Sequence, residues 1–290
     1  MDIKNLVVLG GGTMGRGIAQ WFAQQGTRVE LVDHSTDVLG QAIDTLHSSW
    51  DKLLSKGKFS EEEVESFKDN LIAMDLDDLS TSNSKPDLLI EAVIEDEGIK
   101  RKLFTRMDEL LPGATLFASN TSSIPINILA KSVTPTRQKQ FFGLHFFNPA
   151  PIMKLVELIQ GDQSDPVICR EMSNWLEGRG KTSALCQDRP GFIVNRVARN
   201  FYGEALRIAE NDDPERFREI DETLTACGGF PMGPFTLMDL IGVDINYHVT
   251  HSVWQKFFYE PRFAPHYLQQ KLVQGNRLGK KSKKGFYTYE

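Results

Sequence analysis

His145 stands in the apolar run 141–146, and Glu157 stands in Leu155-Val156-Glu157-Leu158-Ile159. Each is a polar group set among residues that bury. A glutamate in such a run is costly to bury without a partner, and a histidine from a neighbouring strand supplies one. A carboxylate bonded to an imidazole fixes its tautomer and raises its basicity, which is how an acid holds a general base. A structural ion pair is the plainer reading of the same two residues. Ser122, in Ser119-Asn120-Thr121-Ser122-Ser123, and Asn195, in Gly191-Phe192-Ile193-Val194-Asn195-Arg196, are neutral hydrogen-bonding groups that could orient an oxygen or merely cap a turn. Beside a hydride acceptor, the four supply what oxidation of an alcohol requires: a base for the hydroxyl proton and fixed dipoles for the oxygen.

A site for such an acceptor opens the chain. An apolar strand over 6–9 feeds Gly10-Gly11-Gly12-Thr13-Met14-Gly15, a helix follows over 14–25, and a second strand over 28–32 ends at Asp33. In a dinucleotide-binding crossover Gly10 permits the tight turn, Gly12 lets the backbone approach a pyrophosphate, and Gly15 lets helix and strand pack closely. Thr13 and Met14 then open the helix at its positive end, where the phosphates sit. Asp33, eighteen residues after Gly15, is placed to accept from a ribose hydroxyl pair and to repel an added 2′-phosphate, which favours NAD over NADP. A methyltransferase-type fold also has a glycine loop, but it binds a nucleoside without a pyrophosphate, and the three-glycine spacing argues against it.

The elements that must position these groups alternate. After Asp33 an amphipathic stretch over 36–56 and a second helix begun by the capping box Ser60-Glu61-Glu62-Glu63 predict a helical hairpin inserted before a strand at 71–74. Strands follow at 87–93, 115–119, 141–146, 155–159 and 182–186, with helices at 99–111 and 166–179. Strand and helix in alternation predict a Rossmann-type, doubly wound α/β domain with a mostly parallel sheet. The clusters 91–95, 119–123 and 143–149 fall where its strands should end, the edge at which open α/β sheets bind ligands. Past Pro190 the alternation stops. Helices over 192–210, 217–226, 236–252 and 265–273, broken by Gly-Gly, Pro and Asn-Asp-Asp-Pro turns, predict an all-helical C-terminal domain over 190–290, after a nucleotide-binding domain over 1–189.

Composition narrows the class. The chain has 290 residues with 40% hydrophobic and 25% charged residues and a net charge of −6, which gives no reason to expect a nucleic-acid partner. Cys169, Cys186 and Cys227 are an odd number without metal-ligand spacing, so neither a disulfide framework nor a metal is expected and a reducing cytosol fits. No apolar run approaches the ~20 residues that span a bilayer. The first residues enter a strand without a basic-then-apolar leader, so a cytoplasmic protein is expected.

Taken in order, the glycine loop, Glu91-Ala92-Val93-Ile94-Glu95, Ser119-Asn120-Thr121-Ser122-Ser123, His145-Phe146-Phe147-Asn148-Pro149, Gly191-Phe192-Ile193-Val194-Asn195-Arg196, Pro231-Met232-Gly233-Pro234-Phe235 and Gly285-Phe286-Tyr287 resemble the short-chain (S)-3-hydroxyacyl-CoA dehydrogenases, the 3-hydroxybutyryl-CoA dehydrogenases among them. The resemblance implies reversible NAD-dependent oxidation of a 3-hydroxyacyl-CoA with a short acyl group. It places His145 on the family's base, Glu157 on its orienting acid, Ser122 on the residue that binds the substrate oxygen and Asn195 on the fourth active-site group. It likewise places Asp33, Glu95 and Lys100 on cofactor contacts, Ser49 and Lys56 on coenzyme A contacts, and a homodimer interface on the helical domain. Two other readings share parts of this pattern. A dehydrogenase for a free hydroxy acid would have no use for Lys56 and its neighbours, and a non-catalytic NAD-binding protein would have none for His145 with Glu157.

Asp33 yields the first prediction. NAD(H) is expected to support turnover far better than NADP(H), and Asp33→Ala should narrow the gap in kcat/KM. Equal efficiency with both cofactors in the unmutated protein would rule the assignment out.

Overall fold

A strand that is apolar on both faces must be covered on both, and helical crossovers provide that cover. In chain order the first unit contains β1 (Asn5–Leu9), α1 (Thr13–Gln24), β2 (Arg28–Asp33), α2 (Thr36–Ser55), α3 (Glu61–Asp69), β3 (Leu71–Asp75), β4 (Leu88–Glu91), α4 (Glu97–Leu110), β5 (Leu116–Ser119), α5 (Ile126–Ala130), α6 (Pro135–Gln138), β6 (Phe141–Phe146), β7 (Leu155–Gln160), α7 (Pro166–Glu177) and β8 (Thr182–Gln187). The computed structural model describes residues 1–80 and 85–290. They form two compact units, Met1–Arg189 and Pro190–Glu290.

The first unit is a Rossmann-type sheet. Its strand order is β3-β2-β1-β4-β5-β6-β7-β8, and β1 to β6 are all parallel. Their C-terminal ends therefore share one edge, and the order reverses between β1 and β4, where such sheets bind ligands. The connection 147–154 is too short for a parallel crossover, which takes roughly a dozen residues or more, so β7 runs antiparallel to β6. The inserted hairpin docks on this unit through Leu39, Leu46, Trp50, Val64 and Phe67, all buried in its core. Ser35 caps α2, and Ser60 with Glu63 closes the capping box of α3.

The second unit is helical: α8 (Val194–Ala209), α9 (Pro214–Ala226), α10 (Pro234–Ile241), α11 (Val243–Lys256) and α12 (Tyr267–Gln274). Phe217, Phe235 and Phe286 meet at its centre with ring centroids 4.6, 5.1 and 5.0 Å apart. Buried Asp221 and Asp239 accept backbone N–H groups of Phe235 and Phe286 at 2.9 and 3.0 Å, fixing the start of α10 and the C-terminal tail.

Three local expectations needed correction. The single helix over 236–252 is two, because Gly242 adopts φ +104 after closing α10 on the Met238 carbonyl at 2.9 Å. The strand expected over 87–93 stops at Glu91, whose carboxylate turns back to accept the Val93 N–H at 2.8 Å. Short helices α5 and α6 fill 126–138, where no element was expected.

One contact sets how closely α1 approaches β1. A Cβ on Gly15 would lie 1.8 Å from the Gly10 carbonyl oxygen, a backbone atom that cannot swing aside. Gly15→Ala is therefore expected to destabilise the protein by about 2–3 kcal/mol, in the range of core overpacking. Urea denaturation reads the change, and an unshifted midpoint would show that the approach is not tight.

Candidate active site

His145 and Glu157 are direct cross-strand partners in the β6–β7 register. Opposed residues of an antiparallel pair project to the same face with Cβ atoms roughly 5 Å apart, which leaves the two side chains within bonding reach. His145 Nδ1 lies 2.7 Å from Glu157 Oε2. The glutamate is fully buried and the histidine nearly so, at 0% and 8% side-chain exposure.

A cavity of about 330 Å³ opens beside this pair at the C-terminal edge of the sheet; its wall includes Met14, Glu95, Lys100, Asn120, Ser122, His145 and Phe147. Thus the structure brings five of the residues singled out in the sequence to one cavity. The Phe147 ring lies against the imidazole, tilted by 57° at a centroid distance of 4.6 Å. Asn120 Oδ1 accepts the Phe146 N–H at 2.8 Å, tying the end of β5 to the end of β6.

An ion network supports the wall around Ser122. Buried Lys100 reaches Glu91 Oε1 at 2.7 Å and Glu95 Oε2 at 3.0 Å. Ser119 Oγ donates to Glu91 Oε2 at 2.6 Å. Glu95 Oε1 accepts from Thr121 Oγ1 at 2.7 Å, from the Ser122 and Ser123 N–H groups at 3.0 and 3.1 Å, and from Ser123 Oγ at 2.9 Å. Burial pushes the Glu91 carboxyl up, and Lys100 opposes that push. Burial works against the charge of Glu95 too, but Lys100 and the Thr121 hydroxyl outweigh it and hold this carboxyl down at about 2. Sequence reasoning placed Glu91 and Asn120 in clusters at the sheet edge but gave neither a role of its own. A usable signal existed for the first, since a glutamate closing Leu88-Leu89-Ile90 needs a partner as Glu157 does.

The glycine loop fits a dinucleotide. No side chain caps α1, and its first intrahelical bond runs from Arg16 N–H to the Gly12 carbonyl at 2.9 Å. The N–H groups of Thr13, Met14 and Gly15 are left to an outside acceptor. Among the described residues nothing lies within 4 Å of where a Cβ on Gly12 would stand, so that space is available to a phosphate. Asp33 is fixed at the end of β2, its two oxygens accepting the Gly11 N–H at 2.7 Å and the Ser35 N–H at 3.1 Å.

The remaining site residues lie elsewhere. Ser49 lines a second cleft and accepts from Gln20 Nε2 at 3.2 Å. Lys56 is exposed just past the end of α2 and lines neither cavity. Asn195 lies in the first turn of α8 in the second unit, where its carbonyl accepts from Arg199 Nε at 3.0 Å.

The family model for the NAD binding domain of 3-hydroxyacyl-CoA dehydrogenase matches residues 5–189, and the model for the C-terminal domain of the same enzymes matches 191–289. The chain belongs to the 3-hydroxyacyl-CoA dehydrogenase family. Members of this family are NAD-dependent oxidoreductases, in keeping with the loop just described. The chain is 41% identical over its full length to the 3-hydroxyadipyl-CoA dehydrogenase of Escherichia coli, of which it spans 60%. It is 37% identical to the mitochondrial hydroxyacyl-coenzyme A dehydrogenase of Sus scrofa, covering 99% of this chain and 92% of that one. Its fold superimposes on the (S)-3-hydroxybutyryl-CoA dehydrogenase of Ralstonia eutropha with a TM-score of 0.90 at 33% identity over all of both chains. Among the described residues no helix is long and apolar enough to cross a membrane.

Lys100 serves both carboxylates, so its removal has two readable effects. Lys100→Met leaves Glu91 buried without its cation and is expected to cost about 3–5 kcal/mol. The folded-state pKa of Glu95 lies below its ordinary 4.5, so its contribution is full above about pH 4.5 and fades as the pH falls toward 2. Without Lys100 the folded-state pKa of Glu95 moves back up, so the loss of stability below about pH 4.5 should be smaller than in the unmutated protein. Urea midpoints measured from pH 7 to 3 for both proteins check this, and parallel profiles of equal height would contradict it.

Proposed function

We propose that this chain catalyses the reversible NAD-dependent oxidation of (S)-3-hydroxyacyl-CoA to 3-oxoacyl-CoA, with a short acyl group such as that of 3-hydroxybutyryl-CoA. The 2.7 Å bond between buried Glu157 and His145 at the wall of the cavity carries the reading. Nδ1 is engaged by the carboxylate, so the substrate hydroxyl gives its proton to Nε2. Glu157 then stabilises the imidazolium and holds the ring in place. Ser122 donates to the substrate oxygen from a backbone that Glu95 has already fixed, so little reorganisation accompanies the reaction. Bound NAD supplies the hydride acceptor. Met14, Glu95 and Lys100 line the same cavity as His145 and are assigned to hold the cofactor together with Gly10, Gly12, Thr13, Gly15 and Asp33. Asn195 enters as the fourth active-site group on the family resemblance alone, and so does Lys56 as a coenzyme A contact beside Ser49.

Two finer readings accompany this one. The helical unit leaves Val197, Ile208, Leu240, Ile245, Phe258 and Tyr267 exposed, which is more apolar surface than a solvated bundle needs, and we assign it to a homodimer interface. The three cysteines are free thiols, which supports the cytosol as the compartment.

The test follows NADH absorbance with acetoacetyl-CoA and then with longer 3-oxoacyl-CoA esters. His145→Gln is expected to lower kcat by about 10²–10⁴-fold, the usual worth of a general base, while NADH still binds. Glu157→Gln should do comparable harm because the pair acts as a unit. Near-normal turnover by His145→Gln would sink the mechanism.

A further inference from the structure

The second cleft, of about 170 Å³, shares Asn148 with the wall of the His145 cavity, so the two lie next to each other along the sheet edge. On one side it is bounded by Thr13, Arg16 and Gln20 of α1, and on the other by Thr45 and Ser49 of α2. Arg16 is the one charged residue among those that line it. Arg16 is partly buried in a chain with 39 acidic and 33 basic residues, where a cation on a cleft wall ordinarily takes a carboxylate partner. Among the described residues no carboxylate pairs with Arg16. The other polar residues that line the cleft, Thr13, Gln20, Thr45, Ser49 and Asn148, are neutral. Gln20, itself buried, donates to Ser49 Oγ at 3.2 Å and so fixes that hydroxyl on the cleft wall.

A cation, hydroxyls and no acid make a cleft suited to an oxyanion. We propose that Arg16 binds an oxyanion of the acyl-CoA remote from the reacting carbon, either a phosphate of the nucleotide end or a carboxylate at the free end of the acyl chain. The proposal rests on the acyl-CoA reading above. It also explains how the hairpin can meet a charged ligand although Lys56 lies away from both cavities: the cation comes from α1 and the hairpin contributes Ser49.

The experiment uses the full chain with Arg16→Gln and Arg16→Lys. Steady-state kinetics are measured with acetoacetyl-CoA, with the acetoacetyl thioester of pantetheine, which lacks the nucleotide, and with 3-oxoadipyl-CoA, whose acyl chain ends in a carboxylate. Arg16→Gln is expected to raise KM about tenfold, the loss of one charge-assisted hydrogen bond, with kcat within twofold. Arg16→Lys should recover much of the loss, and NADH affinity should stay unchanged. A loss on acetoacetyl-CoA that is absent with the pantetheine thioester identifies the phosphate. A loss confined to 3-oxoadipyl-CoA identifies the carboxylate. Unchanged KM on all three substrates, equal losses on all three, or a loss of NADH affinity instead would overturn the role of Arg16. Calorimetric titration of coenzyme A and of adipyl-CoA into the NADH-loaded protein reads Arg16 without turnover. An inactive wild type whose binding of either ligand still depends on Arg16 would defeat the proposed reaction and leave the oxyanion site standing.

Discussion

A carboxylate with no exposure to water must be given a partner by the fold, and Glu157 is such a carboxylate. The constraint reaches well beyond one bond. Only the β6–β7 register that sets His145 opposite Glu157 satisfies it, since a slip of one residue would send the two side chains to opposite faces of the sheet. That register also needs β7 to run back against β6, which the short connection 147–154 enforces, and so short a connection must stay near the end of β6. The loop is therefore pinned where ligands are expected. Lys181 donates from below to the carbonyls of Ala150 and Met153 at 2.6 and 2.8 Å. From the side, a Cβ on Gly17 would meet Ala150 at 3.3 Å, so α1 and the loop are already in contact. Satisfying one buried charge thus determines where the wall shared by the two clefts can be.

The Glu91–Lys100–Glu95 network does for the chain after β5 what the His–Glu pair does for the chain after β6. Its charges are directed at backbone: Glu95 gathers the N–H groups of Ser122 and Ser123, and Glu91 gathers that of Val93. Buried ion pairs contribute little net stability because desolvation offsets attraction. Their value here is positional, since each carboxylate accepts several fixed donors and a displaced loop would have to break all of them together. The neutral groups that line the cavity then meet a ligand already oriented, and a reaction that develops charge on oxygen needs fixed dipoles.

Legibility from sequence followed the range of the interactions. The glycine loop, the capping box at Ser60 and the alternation of strand and helix are local patterns, and the corresponding elements formed. The pairing of His145 with Glu157 is not local, yet it could be read because the energetic cost of an isolated buried glutamate is visible in one dimension. The same reasoning, had it been applied to Glu91, would have pointed to a cation and left Lys100, nine positions on, as a nearby candidate. Other features left no such mark. A glycine within a helical pattern is compatible with continuation, so the break at Gly242 depended on a backbone angle that composition does not specify. Arg16 directly follows the glycine motif, where the pattern drew notice to the glycines, and its relation to Ser49 exists only once α1 and α2 are packed.

That packing gives α1 a double role that its helical period explains. Met14 lines the His145 cavity, whereas Thr13, Arg16, Gly17 and Gln20 line the second cleft. The latter set is spaced i, i+3, i+4 and i+7, which is one face of a helix. Ile18, Ala19 and Phe22 face the core instead. One helix therefore offers its positive end to a dinucleotide, one flank to the reacting centre and another flank to a remote oxyanion. Because its position over the sheet is set by the contact between Gly15 and the Gly10 carbonyl, the spacing between those three functions is rigid. A ligand that reaches from one cleft to the other is measured against that fixed distance, so remote binding can be converted into orientation at the reacting carbon.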